Sequence, residues 1–508
     1  MILIFCLACT DDTYDRHYQA DTNLVAENNL METVESLPEL SLWTEILRKY
    51  GYDRMLSQTQ AYTLFAPSNR ALAGLDTTGI NVQTELIENH IARYILPASG
   101  NTPFPIAMLN GKRISLSPIN GNWAFGSTPF ALPNKSIVAS NGIVHLLDNY
   151  ETFFPNTWEY LAKNPQLDSI KNYLYSFDEI RFEPEASVPG SVVDGQQTYL
   201  DSVFVNYNTL VRQLGYINRE DSSYTMIVPT NEAWTEAYNR IKEYYVYYNK
   251  NAATADSLQR ANTAFALLQD LVFNNTEQIS PQDSLISTSG NTFYHPQYLF
   301  EGAEPVTTSN GTAYMTDLLR FKPHESWHDS ITVEAEFIQG RENTLSTPSV
   351  ERVVNTAITG ISNGRYLKLD PTTTSGNPTA SFEIPNTLSG KYNIYCVFVT
   401  GKAANEKAQG LKPNKVFFNL TYLDTNGKSV LSRFPASGNI TTDPNVIDTV
   451  TVASGFKFPT ANYGETDESG EAITTVILKI VSDVGRTETT AFSRVLLLDC
   501  ILLEPEKQ

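Results

Sequence analysis

The stretch that decides the fold is Tyr62–Ala71, "YTLFAPSNRA", because a close copy, "YTMIVPTNEA", occurs at Tyr224–Ala233. In the first copy apolar residues alternate up to a proline, and this pattern predicts a strand that ends there. Ser68 or Asn69, directly after the proline, is suited to cap a following helix. We therefore predict a strand followed by a helix at each copy.

A second pair of segments recurs in the same order. Val138–Asp148 reads "VASNGIVHLLD" and Thr307–Asp317 reads "TTSNGTAYMTD". Short apolar runs flank Asn141-Gly142, a pair that predicts a hairpin with a type I′ turn, and Asn-Gly recurs in the copy. The repeat of about 160–170 residues is the size of a domain rather than of a solenoid unit.

Between the two blocks, and ahead of them, apolar residues recur at helical spacing, as in "TELIENHIARYIL" and "TAFALLQDLVF". Each repeat is therefore predicted to be α+β. The blocks "TLFAPSNRAL" and "NGIVHLLD" resemble the signature motifs of fasciclin domains, which implies a compact β-wedge with helices packed around it. The second copy is looser, and we interpret its extra segment "EPEASVPGSVVDGQQTY" as a surface loop.

The fasciclin resemblance implies an adhesion or binding module without catalytic residues. His145 tests this, because a histidine near Asp148 could act as a general base. Its equivalent in the second copy is Tyr314, so the fold does not require an imidazole there. We expect a half-buried structural histidine.

The last third of the chain has a different pattern of apolar and polar residues. From about Ile331, eight alternating apolar segments follow one another between Gly, Pro, Asn and Thr clusters, which predicts a β-sandwich, specifically a jelly roll. The overall fold class is α+β, with two fasciclin-like domains followed by this all-β domain. The predicted ranges are a signal remnant (1–9), a polar tether (10–27), fasciclin-like domains (28–152 and 153–322), a linker (323–330) and the sandwich (331–508).

The first and last strands of the sandwich, "VEAEF" and "LLLDCILLEP", resemble those of galactose-binding-like carbohydrate-binding modules. The resemblance implies a structural calcium ion held by Glu334, Glu336 and Asp499, since carboxylates suit this hard cation. The alternative is that these acids lie on a solvated strand face. No other cofactor is expected.

Sugar binding also needs exposed aromatic side chains, and the sequence offers Tyr366, Tyr395, Phe398, Tyr422 and Tyr463. The acidic segment 462–471, "NYGETDESGE", is predicted to be an exposed loop. It lacks the regular ligand spacing of a calcium loop.

The N-terminus resembles a bacterial lipoprotein signal. A short apolar run, Ile2–Ala8, precedes Cys9, and the acidic pair Asp11 and Asp12 resembles the surface-export signal of Bacteroidota lipoproteins. The resemblance implies that Cys9 carries a lipid and that the protein lies at the outer-membrane surface. The alternative is an ordinary hydrophobic start on a cytosolic protein.

Two further cysteines, Cys396 and Cys500, lie in apolar strand-like runs. They are predicted to be buried free thiols, with a cross-strand disulfide as the alternative.

The segment His324–His328, "HESWH", matches the H-E-x-x-H pattern of zinc metalloproteases. That chemistry requires a helix on which both imidazoles share a face. Pro323 precedes the segment and strand-like sequence follows within two residues, so we interpret it as a chance match in a linker. We expect Trp327 to pack the flanking domains together.

The net charge of −20 argues against nucleic-acid binding. No nucleophile elbow, phosphate loop or dinucleotide fingerprint occurs. By resemblance, proteins of this build accompany the starch-utilisation-type importers of Bacteroidota, which implies two protein partners, a TonB-dependent channel and its lidding lipoprotein, and a glycan or peptide ligand. The alternatives are an adhesin for host or neighbouring-cell matrix and, more remotely, a hydrolase.

Overall fold

The computed structural model describes most of the chain after residue 25, in the ranges 26–76, 79–131, 136–193, 195–248, 252–274, 284–343, 348–356, 358–371, 377–399, 401 and 412–507. The predicted signal remnant with Cys9, and most of the tether, lie outside these residues. The chain divides into two compact units, one with residues 1–160, 218–223 and 307–311, and the other with 161–217, 224–306 and 312–508. The domain boundaries predicted from the sequence remain predictions.

The first fasciclin-like segment is a small sheet with helices. Its α-helices are α1 Leu30–Glu35, α2 Ser41–Lys49, α3 Tyr52–Leu56 and α4 Asn69–Leu72, with a π-helix at Val82–Ile87 and 3-10 turns at Pro38–Leu40 and Glu88–His90. Its strands are β1 Tyr62–Pro67, β2 Ile91–Arg93, β3 Phe104–Ala107, β4 Arg113–Ile119, β5 Asn122–Phe125, β6 Thr128–Pro129, β7 Ser136–Ala139 and β8 Gly142–Leu147.

The two recurring motifs form the centre of this segment. The sheet order is β2-β1-β8-β7, and β1 runs parallel to β8 with Tyr62 opposite Gly142 and Pro67 opposite Leu147. Both central strands are buried along their whole length, as expected for paired apolar runs. A second sheet, β3-β4-β5-β6, packs its apolar side chains against Phe65.

The predicted helix caps are confirmed in both copies. Ser68 accepts a hydrogen bond from the backbone N–H of Ala71 and begins α4. In the second copy, Thr230 accepts from the backbone N–H of Ala233 and begins a longer helix. These bonds satisfy backbone donors that the first helical turn leaves free.

The predicted type I′ turn is wrong, although the hairpin exists. β7 and β8 pair antiparallel with Ala139 opposite Gly142, but neither Asn141 nor Gly142 has the positive φ that such a turn requires. The glycine serves close packing instead, because a Cβ at Gly142 would lie 2.2 Å from the Tyr62 carbonyl oxygen.

Asn141 has a tertiary role that the turn interpretation missed. Its Oδ1 accepts from the backbone N–H of Leu30 at 2.7 Å, and its Nδ2 donates to the carbonyls of Leu56 and Gln58 at 2.8 and 2.5 Å. Asn310 repeats this role, since its Oδ1 accepts from the backbone N–H of Thr157 at 2.9 Å. The motif asparagine therefore fixes the start of the first helix of each copy.

The second fasciclin-like segment has the same sheet order in its corresponding strands. Its α-helices are α5 Thr157–Lys163, α6 Asp168–Tyr175, α7 Thr209–Leu214, α8 Asn231–Ile241 and α9 Ala252–Leu268, with 3-10 turns at Pro165–Leu167, Lys242–Tyr244 and Pro296–Phe300. Its strands are β9 Asp178–Phe182, β10 Val188–Val193, β11 Gln196–Asp201, β12 Phe204–Asn208, β13 Tyr224–Pro229, β14 Val272–Asn274, β15 Ser284–Ile286, β16 Thr292–Tyr294, β17 Glu304–Thr308 and β18 Gly311–Thr316.

The order β14-β13-β18-β17 matches β2-β1-β8-β7 strand for strand, which supports the duplication. The inserted segment is not the loop that the sequence predicted. It forms two antiparallel ladders, β9 with β12 and β10 with β11. Its glycines and prolines suggested irregular backbone, but Gly190 and Pro189 lie within a bulged strand.

The last third is a two-sheet sandwich, as predicted. Its strands are β19 Ile331–Glu334, β20 Arg341–Asn343, β21 Pro348–Val354, β22 Arg365–Pro371, β23 Thr379–Glu383, β24 Lys391–Phe398, β25 Lys415–Leu423, β26 Ser429–Phe434, β27 Ile440–Thr441, β28 Asp448–Lys457, β29 Ile477–Ser482 and β30 Leu496–Pro505, with 3-10 turns at Pro323–Glu325, Ser362–Gly364 and Arg486–Glu488.

One sheet has the order β21-β22-β30-β24-β28 with β19 on β30, and the other has β20-β23-β29-β25-β26 with β27 on β25. Alternate apolar side chains from both sheets, including Phe382, Ile394, Phe418 and Leu478, form one buried core. The chain is therefore an α+β protein with an all-β C-terminal region.

Among the described residues, no helix combines the length and apolar character that crossing a bilayer would require.

Candidate functional site

The "HESWH" segment does not form a zinc-binding helix. Pro323–Glu325 is a single 3-10 turn, and strand β19 begins at Ile331. A zinc metalloprotease carries these two histidines on one face of a continuous α-helix, and the segment has no such helix. Within the described ranges, no group of three or more His, Cys, Asp or Glu side chains is arranged to hold a metal ion.

His328 instead fills a packed position between the second fasciclin-like segment and the sandwich. It is 3% exposed, and its ring lies 5.0 Å from that of Tyr244 and 4.6 Å from that of Tyr392. Burial, followed by the nearby His324, lowers its pKa to about 4. The Trp327 ring packs on Tyr244 of the second fasciclin-like segment, and its expected contact with the sandwich remains a prediction.

His145 is fully buried, so the expectation of a half-buried histidine is wrong. Its ring stacks on Phe65 and Phe130 at 5.2 and 4.8 Å. Nε2 donates to the Leu96 carbonyl, which leaves Nδ1 to accept from the Ser136 hydroxyl. Burial lowers the pKa to about 4, so the imidazole is neutral near pH 7.

His90, which the sequence did not single out, is built in the same way. It is completely buried, its Nδ1 donates to the Leu86 carbonyl at 2.7 Å, and its Nε2 accepts from the backbone N–H of Glu151 at 2.9 Å. Burial lowers its pKa to about 4.

The three acids predicted for calcium lie around the 3-10 turn Ser362–Gly364. Asp499 accepts from the backbone N–H of Ser362 at 3.0 and 3.1 Å, and Glu334 accepts from the Ser362 hydroxyl and from Asn363 Nδ2. Asp499 and Glu336 are each 2% exposed. The alternative of acids on a solvated face therefore does not describe these two residues.

The carboxylates of these three acids are only partly compensated by hydrogen bonds. Both carboxylate oxygens of Glu336 and Oε2 of Glu334 are buried without a hydrogen-bond partner. Desolvation, with Glu334 and Glu336 contributing, raises the pKa of Asp499 to about 6. Orphaned carboxylate oxygens fit a hard cation chemically, but the three side chains do not converge on one point. The calcium assignment remains a prediction.

The aromatic candidates for sugar binding are mostly part of the core. Tyr366 and Phe398 are buried, and Tyr422 packs on Phe456 and Phe458. The Tyr463 carbonyl accepts from the Tyr247 hydroxyl and its ring packs on Tyr245. Tyr395 is the one of the five aromatic candidates that is neither buried in the core nor packed on another aromatic ring in the described residues. Its side chain is half-buried.

The tip of the acidic loop 462–471 forms a local turn around Asp467. The Asp467 carboxylate accepts from Ser469 N–H, from the Ser469 hydroxyl and from Glu471 N–H, and these bonds lower its pKa. These three bonds all go to Oδ1 and form a local turn.

Cys396 and Cys500 are free thiols, so the first alternative is confirmed. Cys396 lies directly opposite Ile501 on the neighbouring strand. Cross-strand partners share a face and successive residues alternate, so Cys500 points to the other side of the sheet. Burial raises the pKa of both thiols, that of Cys500 to about 12.

A polar cleft of about 280 Å³ in the first unit was not indicated by the sequence. On one wall the Lys112 Nζ, in a side chain that is 4% exposed, bonds Glu159 and Glu220 at 2.5 and 2.7 Å. On another wall the buried Glu151 accepts from the Ser127 N–H and hydroxyl and from the Thr128 hydroxyl. These residues lie in segments without a motif or regular spacing, so no sequence signal could group them.

Comparison with known proteins supports the fold of the first segment. Residues 38–150 match the family model of the fasciclin domain. A search of curated proteins returns no match. Residues 38–150 therefore resemble a fasciclin domain, and the account of the other residues rests on the structure of this chain.

Three solved structures match parts of the chain at low similarity. A domain pair from the insect cell adhesion molecule Fasciclin I has 11% identity and a TM-score of 0.21, covering 56% of this chain and 98% of that chain. A module pair of endo-1,4-β-D-xylanase 10B from Clostridium thermocellum has 14% identity and a TM-score of 0.22, covering 37% and 29%. A xylan-binding domain from Paenibacillus barcinonensis has 15% identity and a TM-score of 0.21, covering 35% and 94%.

Proposed function

We propose that this protein is a non-catalytic binding or scaffolding lipoprotein of the outer-membrane surface, acting with a nutrient importer that takes up a glycan or peptide. The importer would be of the starch-utilisation type, with a TonB-dependent channel and its lidding lipoprotein as partners. The lipid anchor would be attached at Cys9.

The observation that carries the binding role is the duplicated fasciclin-type segment. Residues 38–150 match the fasciclin family model, and the second copy repeats the strand order and the asparagine anchor. The fasciclin resemblance implies a module that presents surfaces to partners. A scaffold or receptor uses such modules without chemistry of its own.

The buried histidines support a non-catalytic role. A general base must reach the proton that it abstracts, whereas His90, His145 and His328 are enclosed by aromatic rings or saturated with hydrogen bonds. The lowered pKa of each imidazole keeps it neutral, in agreement with a structural role.

Two surfaces could receive a ligand. The polar cleft beside Glu151 is lined by serine and threonine side chains and by the exposed ring of Phe154, a combination that suits sugar hydroxyls. On the sandwich, Tyr395 is the remaining aromatic candidate. Replacing Ser127 or Tyr395 by alanine, each against the wild-type chain on a glycan array, would separate the two surfaces.

The anchor is tested by replacing Cys9 with alanine. We expect the variant to leave the membrane fraction and to appear in the soluble fraction, while Cys396→Ala stays on the membrane. Membrane retention of Cys9→Ala would contradict lipidation at this position.

The importer role is tested by gentle membrane extraction of the full chain, affinity purification and mass spectrometry. A channel and its lid in near-equal amounts with the chain are the expected result. Binding to matrix proteins or cells without a channel would favour the adhesin alternative. Turnover of a glycan or peptide that a single acid substitution abolishes would favour a hydrolase.

A further inference from the structure

The inserted segment together with its flanking strands, residues 178–208 and here called the arm, carries an unusual concentration of exposed apolar side chains. Of the 22 large apolar side chains that are exposed in the described part of the chain, seven lie within these residues. They are Ile180, Phe182, Val188, Val192, Leu200, Phe204 and Val205. Leu200 is 81% exposed and Ile180 is 75% exposed. Contiguous apolar surface of this kind marks an interaction site on a soluble protein.

Three of these apolar side chains share one face of the arm. In the β9–β12 ladder Phe204 lies opposite Phe182, with their rings 5.6 Å apart, and Ile180 is two positions along on the same face. The ring of Tyr199 packs against Phe182 at 4.7 Å. These side chains form a continuous aromatic and aliphatic strip on one side of the ladder.

The opposite face of the same ladder carries mainly polar side chains, although Val205 lies opposite Arg181 on it. The Arg181 guanidinium lies 3.6 Å from the centre of the Tyr207 ring and donates to Glu179 at 2.9 Å. Arg212 donates to the Tyr207 hydroxyl at 3.1 Å. The polar side chains of this face are paired within the chain, whereas the strip of Ile180, Phe182 and Phe204 on the other face is not covered.

The arm is held firmly at its root. Asn208 Nδ2 donates to the Leu174 carbonyl and to Asp178, both at 2.8 Å, while its Oδ1 accepts from the backbone N–H of Val211. Asn208 therefore joins the end of β12 to α6 and α7. A two-stranded ribbon is marginally stable in water without further packing, so a rooted ribbon with an open apolar face is suited to receive a partner.

The charge of the arm defines that partner. Residues 178–208 contain six carboxylates, one arginine and no lysine. Lysines are a common device for protecting strand edges, and the arm lacks them. A second copy of the chain, with net charge −20, and an anionic lipid surface would both be repelled.

We propose that the arm docks into a groove of another protein that is apolar at its floor and lined by lysine or arginine at its rim. Ile180, Phe182 and Phe204 would fill the groove, and the acids around them would meet the basic rim. This goes beyond the binding role proposed above and does not depend on the partner being an importer.

The test is site-specific photocrosslinking of the full chain in the cells that produce it. p-Benzoylphenylalanine in place of Phe204 is compared with the same group in place of Leu431, an exposed sandwich residue. We expect a discrete adduct with one protein from position 204, and mapping of the adduct should reach an apolar segment of that protein flanked by Lys or Arg.

A charge-reversal pair tests the basic rim. Glu185→Lys with Asp201→Lys, both exposed positions on the arm, should lower the adduct yield by about ten-fold. Reversal of Glu468 and Glu504, which are exposed on the sandwich, should leave it unchanged. Circular dichroism of each variant should match that of the wild type, since all four side chains are exposed.

Four outcomes would overturn the proposal. They are no adduct at position 204, equal adducts at 204 and 431, an adduct with lipid or a second copy of this chain, and an adduct that the arm charge reversal leaves unchanged. An adduct of the expected chemistry with a protein outside any importer would uphold the arm proposal while contradicting the importer role.

Discussion

Replacing Asn141 by alanine should destabilise the first fasciclin-like segment severely. The side chain joins three backbone groups, the N–H of Leu30 and the carbonyls of Leu56 and Gln58. The bonds to Leu30 and Leu56 are buried, whereas the bond to Gln58 is only partly buried and water can replace it. A buried backbone group left without its partner costs about 1–3 kcal/mol.

Two such groups, with the smaller loss at Gln58, give an expected destabilisation of about 3–5 kcal/mol. This is a large part of the roughly 5–15 kcal/mol by which a domain is stable. Asn141→Asp should be comparably damaging, because it keeps the acceptor for Leu30 but turns a carboxylate toward two carbonyl oxygens. Asn101→Ala, at an exposed position of the same segment, should change the stability by less than about 0.5 kcal/mol.

The assay is native-state hydrogen exchange of the full chain, read by mass spectrometry in peptides that cover α1, α3 and β8. It reports the opening free energy of this segment separately from the rest of the chain. Protection in these peptides should fall by two orders of magnitude or more, at about 1.4 kcal/mol for each factor of ten. A loss below about 1 kcal/mol, or a fully stable Asn141→Asp variant, would refute the anchoring role.

Three further predictions follow from the buried groups. His90 and His145 have pKa values near 4 in the folded chain, below the ordinary 6.5, so their stabilising effect is complete above pH 6.5 and is lost as the pH falls toward 4. Each should cost on the order of 2 kcal/mol by pH 5, and an opening free energy of the first fasciclin-like segment that is independent of pH between 7 and 5 in hydrogen exchange would contradict this. Calcium at about 100 times its dissociation constant should stabilise the sandwich by about 2.7 kcal/mol in calorimetry. Glu336→Gln should abolish this stabilisation. Equal stabilisation of that variant by calcium, or of the wild type by magnesium, would contradict the site. Cys396 and Cys500 should resist alkylation in the native chain and react fully after denaturation, as read by peptide mapping, whereas rapid native labelling would show that their burial is wrong.

The sequence predicted those features that depend on neighbouring residues along the chain. Alternation up to Pro67 specifies a strand, the hydroxyl of Ser68 specifies a cap, and alternating apolar runs after Ile331 specify a sandwich, since each is a matter of local periodicity and backbone hydrogen bonding. The repetition of the motifs identified the duplicated segment without any structure, and the fasciclin family match to residues 38–150 supports the first copy.

The site residues depended on contacts that no local pattern encodes. Asn141-Gly142 had the sequence of a tight turn, but Asn141 bonds a helix 111 residues away and Gly142 leaves room for the Tyr62 carbonyl. The register of β24 against β30 placed Cys396 and Cys500 on opposite faces.

Most of the aromatic residues considered for sugar binding pack into the core or against neighbouring segments, and the inserted segment became a rooted arm with one open face. Periodicity determines which element forms and which of its faces is apolar. Only the tertiary structure determines what that face meets, because the contact requires a second segment whose position depends on the whole chain.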